Sequence, residues 1–278
     1  MQKMKANYFE ARGVGEDFYE NATLPHYFKE VIESLPENAR ILDFGCGFGQ
    51  ILNAIKNNAF AWDNNDKNAE SPSIIGEGGA NDKNVSDKNI GDKNVNNANE
   101  AKSAFSLLGI DINDKAIEYC RKLGIKALKI DNILEFFPQE RFDLIISTHC
   151  LEHLPKDKII AILTHFRQNI LAENGSIFIA VPNAQSATNC YWAYEDFTHT
   201  TLFTAGSLIF VLKMAGFSDI KIIDKDALAG SKGIKKIIRI AFLKIYKAKI
   251  AFWNKITNSA FHAPSPQVFS YEVKILAS

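Results

Sequence analysis

Asp43-Phe-Gly-Cys-Gly-Phe-Gly49 sets one carboxylate ahead of three glycines at alternate positions. Gly45, Gly47 and Gly49 let a backbone turn sharply and approach a ligand without Cβ clashes. A dinucleotide fingerprint needs G-x-G-x-x-G, and here the third glycine comes one residue early, so a nicotinamide-dependent oxidoreductase is the weaker reading. Asp111 closes a second apolar run, where a carboxylate accepts a pair of vicinal hydroxyls or caps the next helix. Asp131, after a third run, can accept an amino proton, or it is a plain surface carboxylate. His199, in Asp196-Phe-Thr-His-Thr-Thr-Leu-Phe203, is of the residue type best suited to take a hydroxyl proton, and Asp196 stands three residues away to orient it. The other reading of His199 is a hydrogen bond to its own loop. His149-Cys-Leu-Glu152-His153 formally matches H-x-x-E-H, a zinc-protease pattern that needs both histidines on one helix. Here it follows directly on a strand, which argues against a protease.

The elements that must place these residues alternate along the chain. Strands are predicted at 40–44, 106–111, 126–131, 142–147, 176–181, 219–223 and 268–276, the fifth entered through an Asn174-Gly175 turn. Helices are predicted at 50–56, 114–122 (capped by Asp114), 156–169 and 207–215. Strands alternating with helices imply an α/β fold, a Rossmann-like seven-stranded mostly parallel sheet with helices on both faces. Ligands of such sheets lie across the carboxyl ends of the strands.

In this order the motifs resemble the class I S-adenosylmethionine-dependent methyltransferases. Ile41 to Gly49 resembles their first motif, Gly109-Ile-Asp111 their second, Phe142 to His153 their fourth, and Asn174 to Asn183 their fifth-strand segment. The resemblance covers 39–223 and the last strand. It implies S-adenosylmethionine as methyl donor. It implies cofactor contacts from Asp43, Gly45, Cys46, Gly47, Gly49, Asp111, Ile112, Asp131, Asn132, Ile133, Thr148 and His149, with His199, His149 and Asp196 on the catalytic side. The 149–153 stretch is similar to the E-x-x-E-H of ubiquinone-biosynthesis-type O-methyltransferases, some of which hold a divalent metal there. His149 replaces the first Glu, so no metal ligand is assigned. Glu152 and His153 are then read as capping the next helix. The expected acceptor is a small-molecule or glycan hydroxyl. Nucleic acid is not expected, since the fourth strand does not run into the P-P-(Y/F) signature of nucleic-acid amino-methyltransferases. The alternative is a non-catalytic S-adenosylmethionine-binding module that docks on a membrane or enzyme partner.

Composition bounds the rest. Apolar residues at 46% and charged residues at 23% are those of a globular chain. With 32 basic and 32 acidic residues, the net charge of zero argues against a globally basic nucleic-acid binder. The four cysteines form no C-x-x-C pair and read as free thiols of a reducing cytoplasm. The expected domains are an N-terminal helical cap (1–38), the methyltransferase domain (39–227 and 264–278), and two insertions. The first, 57–103, is rich in Asn, Asp, Lys and Gly, repeats Asp-Lys-Asn, and is predicted to be disordered because it has little apolar surface to bury. It accounts for the 62 positions between Gly49 and Asp111, where such folds need about 20. The second, 228–263, contains an amphipathic helix at 232–256 with eight basic residues and no acidic one. Its stripe of Ile234, Ile238, Ala241, Ile245, Ala248, Phe252 and Ile256 either packs on the domain as an acceptor lid or contacts an anionic membrane from the cytoplasmic side.

Overall fold

The computed structural model describes residues 22–62, 105–186, 188, 190–259 and 265–278. The predicted Asp-Lys-Asn insertion from residue 63 on, and the first 21 residues of the predicted cap, lie outside them.

Seven strands form one sheet: β1 (Arg40–Phe44), β2 (Ser106–Asp111), β3 (Ala127–Lys129), β4 (Phe142–Thr148), β5 (Leu171–Pro182), β6 (Ile220–Ile222) and β7 (Glu272–Ala277). Their spatial order is β3-β2-β1-β4-β5-β7-β6. β1 to β5 pair in parallel, and β7 runs antiparallel between β5 and β6. Chain order therefore reverses between β1 and β4, and the crevice at their carboxyl ends is where an open α/β sheet binds its ligand. Because β7 is antiparallel, its first residue, Glu272, sits opposite Pro182 at that same edge.

The apolar runs explain the layering, since a strand covered on both faces needs apolar side chains on both. Ile41 joins one core and Leu42 the other. One face is covered by α1 (Lys29–Glu33, entered through a turn of 3-10 helix at His26–Phe28), α2 (Gln50–Lys56) and α3 (Asp114–Lys122), which bury Phe28, Val31, Ile51, Ile55 and Cys120 against Ile41, Leu144 and Phe178. The described part of the predicted cap thus packs on a face of the sheet, with Phe28 and Phe178 ring centroids 4.5 Å apart. The other face is covered by α4 (Ile159–His165, continued by a π-helical turn at Phe166–Ile170) and, after the short α5 (Tyr191–Glu195), by α6 (Ala205–Met214), burying Ile162, Leu163, Leu208 and Leu212. The last helix, α7 (Gly233–Ile256), stands between β6 and β7 and has no buried residue.

Three local expectations are corrected. Asn113, rather than Asp114, caps α3, its side chain accepting from Lys115 and Ala116 N–H. The Asn174-Gly175 turn is a bulge within β5: Leu171 pairs with Phe142 and Ser176 with Leu144. The start of α6 is set by Thr204, whose side chain and that of Ser207 cap each other's backbone N–H groups, two residues ahead of the expected start. The seven strands are where the apolar runs place them, the last beginning four residues late.

Candidate active site

The glycine turn leaves β1 with Gly45, Gly47 and Gly49 at φ of 77°, 50° and 80°. That left-handed region favours glycine. At Gly45 space also demands it: a Cβ there would stand 2.5 Å from Cys150 Sγ, where the chain leaves β4. The loops after β1 and β4 are thus in contact across the crevice. Asp43, the residue before the turn, is buried, and neither of its carboxylate oxygens has a hydrogen-bond partner. Burial, then the nearby Asp111 carboxylate, raises its pKa to about 8. Asp111 is half-buried at the end of β2 and accepts from Gly47 N–H at 2.9 Å and Asn113 N–H at 2.8 Å.

The remaining cofactor-side candidates divide. Ile112 is exposed beside Asp111, Asp131 is exposed past β3, and Thr148 ends β4 half-buried. Asn132 is engaged locally, accepting from Leu134 N–H and donating to Glu135. Ile133 is buried in the core, and the Cys46 thiol faces Cys120 at 4.0 Å. These last two offer a ligand only their backbone.

The second half of the site surrounds Glu152, in a turn of 3-10 helix at Leu151–His153. His149 adopts a left-handed φ of 50°, costly for a residue with a Cβ. That geometry directs its ring between two buried carboxylates, with Nε2 2.8 Å from Glu272 and Nδ1 3.4 Å from Glu152. Burial alone would lower its pKa, but the two carboxylates outweigh it and raise it to about 9, so His149 is a cation near neutrality. Against its own burial, Glu272 is held below the ordinary carboxylate range by His149 and by Lys274. His149 and His153 do not share a helix, so the protease pattern fails on geometry.

His199 and Asp196 come from the segment between α5 and α6; Asp196 is buried and His199 half-buried, with side chains 6% (His199) and 5% (Asp196) exposed. His199 Nδ1 donates to Ala193 O at 2.8 Å, which leaves Nε2 as the acceptor nitrogen of the neutral ring. Nε2 lies 4.0 Å from Glu152 and 3.9 Å from Asp196. Asp196 accepts from the Thr198 hydroxyl at 2.6 Å, and that oxygen meets His153 Nδ1 at 2.9 Å. Burial holds His153 below its usual pKa. Glu152 accordingly belongs to the same cluster as His149, His153 and His199; neither it nor His153 caps the next helix, whose N-cap is Lys158. Glu152, His153 and His199 offer one ligand atom each within 4.8 Å of one another, a mixed N and O set. Beside the cluster Tyr194 and Phe197 expose their rings.

Sequence reasoning missed Glu272. It opens a short strand that is apolar except for Glu272 and Lys274, and those charges were its only signal; its partner His149 is 123 residues away. It also missed a groove of about 760 Å³ between α7 and the sheet's carboxyl edge, lined by Phe242, Tyr246, Ile250, Val268, Phe269 and Gln185 among others.

A family model described as a methyltransferase domain matches residues 16–222. The chain belongs to this methyltransferase family. It is a class I enzyme by fold, with S-adenosylmethionine as cofactor, and the glycine turn and orphaned Asp43 suit such a ligand. A S-adenosylmethionine-dependent methyltransferase from Archaeoglobus fulgidus aligns over 98% of this chain and 99% of its own, at 19% identity and a TM-score of 0.56. Another, from Mesorhizobium loti, aligns over 91% and 97%, at 13% identity and a TM-score of 0.46. At 19% identity the likeness to the Archaeoglobus fulgidus protein is one of fold. No curated protein matches the chain at a significant level.

Proposed function

We propose that this methyltransferase methylates a hydroxyl of a small molecule or sugar, of a glycan or quinone-like kind. The observation that carries the reading is the buried Glu152, Asp196 and His199 cluster at the carboxyl edge, past the glycine turn, with one imidazole nitrogen held as acceptor. An amine acceptor needs only to arrive neutral. A hydroxyl must lose a proton as its C–O bond forms, and a histidine flanked by carboxylates suits that task.

Each residue then has a role. Asp43 holds the donor's ammonium through its two unpartnered oxygens. The Gly45–Gly49 turn would admit the donor's chain, Asp111 would hold its ribose hydroxyls, and exposed Ile112 and Asp131 would hold its adenine. The donor, when bound, supplies an electrophilic methyl on a sulfonium. His199 Nε2 would take the acceptor's proton as the oxygen is methylated, and Asp196 and Glu152 would stabilise the resulting imidazolium. His149, already a cation, orients Glu152 and Glu272. Tyr194 and Phe197 offer rings against which a sugar or aromatic acceptor can lie, and the α7 groove suits an acceptor with an apolar part. Orientation alone can contribute about 7–11 kcal/mol, so His199→Asn should slow turnover by about 100-fold at most and leave S-adenosylhomocysteine affinity unchanged.

The test is a cell extract treated with the enzyme and methyl-labelled S-adenosylmethionine, then separated into lipid, glycan, protein and nucleic-acid fractions. Label in the lipid or glycan fraction is expected. Label confined to protein or nucleic acid contradicts the acceptor class.

A further inference from the structure

Most of the amphipathic stripe of α7 faces away from the domain, and Ile238 at its edge reaches the groove. Ile240, Leu243, Tyr246, Lys247, Ile250 and Asn254 are the helix's half-buried residues, and most of them lie on the side toward Asp226, Val268 and Phe269. That side is pinned by Lys247 to Asp226 at 2.8 Å, by Tyr246 edge-on to Phe269, and by Arg239 to Ser231 and the Ala227 carbonyl. The rest of the stripe lies on the opposite side, with Ile234 69%, Ile245 65%, Phe252 58% and Ile256 61% exposed. An acceptor lid formed by this stripe closing on the domain is thereby ruled out in this arrangement. At helical spacing Lys244 and Lys255 border the stripe on one side, and Lys235 and Lys249 border it on the other. Among the described residues no carboxylate pairs with any of these four.

A continuous exposed apolar row marks an interaction site, and its borders restrict the occupant. Eight basic residues and no acidic one in 232–256 make two such helices repel, so a second copy of α7 is a poor partner. Lysines on both flanks can bury their stems and keep their ammonium groups level with a plane of anionic headgroups. No helix of the described residues is long and apolar enough to cross a membrane, so the geometry is that of a helix lying on one.

We propose that α7 docks the protein on an anionic lipid bilayer, with the Ile234–Ile256 stripe among the acyl chains and Lys235, Lys244, Lys249 and Lys255 on the headgroups. The docking is independent of the chemistry at His199.

The full-length protein would be sedimented with vesicles of phosphatidylcholine alone and of phosphatidylcholine with an equal part of phosphatidylglycerol. Binding to the anionic vesicles is expected, with at least a tenfold loss on neutral vesicles or on moving from about 0.05 to 0.5 M salt. The double variant Ile245→Glu, Phe252→Glu changes only exposed side chains, so it should fold. It should lose at least tenfold in vesicle binding, and Lys235→Glu, Lys249→Glu likewise. S-adenosylhomocysteine affinity, measured in parallel, should stay unchanged in both, which separates failure of docking from failure of the catalytic site. Absence of wild-type binding to anionic vesicles overturns the proposal. So does binding indifferent to both variants, or a lipid-free oligomer that Ile245→Glu, Phe252→Glu dissociates.

Discussion

A carboxylate with two unpartnered oxygens in a closed site is costly unless it is protonated or waits for a cation. Asp43 meets both conditions, with a pKa raised to about 8 by burial and Asp111. An ammonium arriving beside it should lower that pKa. S-adenosylhomocysteine binding at pH 7 should therefore release close to one proton, seen as a buffer-dependent binding heat, and affinity should rise from pH 6 to 8. A binding heat independent of buffer contradicts the role of Asp43. His149 works with the opposite sign. Its pKa is raised from 6.5 to about 9, so its pairing stabilises fully below pH 6.5 and fades as pH climbs through 9. Glu272 is lowered, and its share is lost as pH falls through its folded pKa. Glu272→Gln should lower the Tm most near pH 6 to 7, and the gap to wild type should shrink above pH 9, as a thermal melt series would show. The His149 cation also disfavours a divalent ion beside Glu152. Turnover should thus survive EDTA, and its loss with recovery on added metal would assign an ion to Glu152, His153 and His199. Spacing alone exposed Asp43 and Asp111, because a turn and its strand are local in sequence. Glu272 was hidden because only the antiparallel return of the last strand brings it to His149.

Among the elements, the glycine turn is the least replaceable. Gly45→Ala places a Cβ 2.5 Å from Cys150 Sγ at a φ of 77°. It should cost about 1–3 kcal/mol of stability and weaken S-adenosylhomocysteine binding, read by melting and calorimetry. Strands were legible because each is a short apolar run bounded by polar residues. Their ends were not, because pairing decides them: Leu171 belongs to β5 only through its partner Phe142. The cap of α3 moved by one residue because Asn113 and Asp114 are equally good caps and only geometry chooses. α7 shows the limit of periodicity. A 3-4 stripe identifies a helix and its apolar face but not which way that face turns, and here the weaker row of Leu243, Tyr246 and Ile250 faces Val268 and Phe269 across the groove.

Over the whole molecule, zero net charge conceals a division. Residues 232–256 hold eight of the 32 basic residues, leaving 24 against 32 acidic ones elsewhere. An acidic body with one basic helix is a charge arrangement that a total cannot show. The Asp-Lys-Asn segment lies in sequence between α2 and the amino end of β2, and loop length costs little in closure entropy. Replacing residues 66–100 with a short Gly/Ser linker is therefore expected to leave Tm and cofactor affinity unchanged. The assembly of one cofactor site from the ends of β1, β2 and β3 is tested most directly by calorimetry of S-adenosylhomocysteine with wild type and Asp111→Ala. Binding by wild type, and a loss of at least 100-fold in the variant as two hydroxyl hydrogen bonds to a charged group vanish, is the predicted result. No heat from folded wild type at millimolar ligand, or equal affinity in the two proteins, would contradict it.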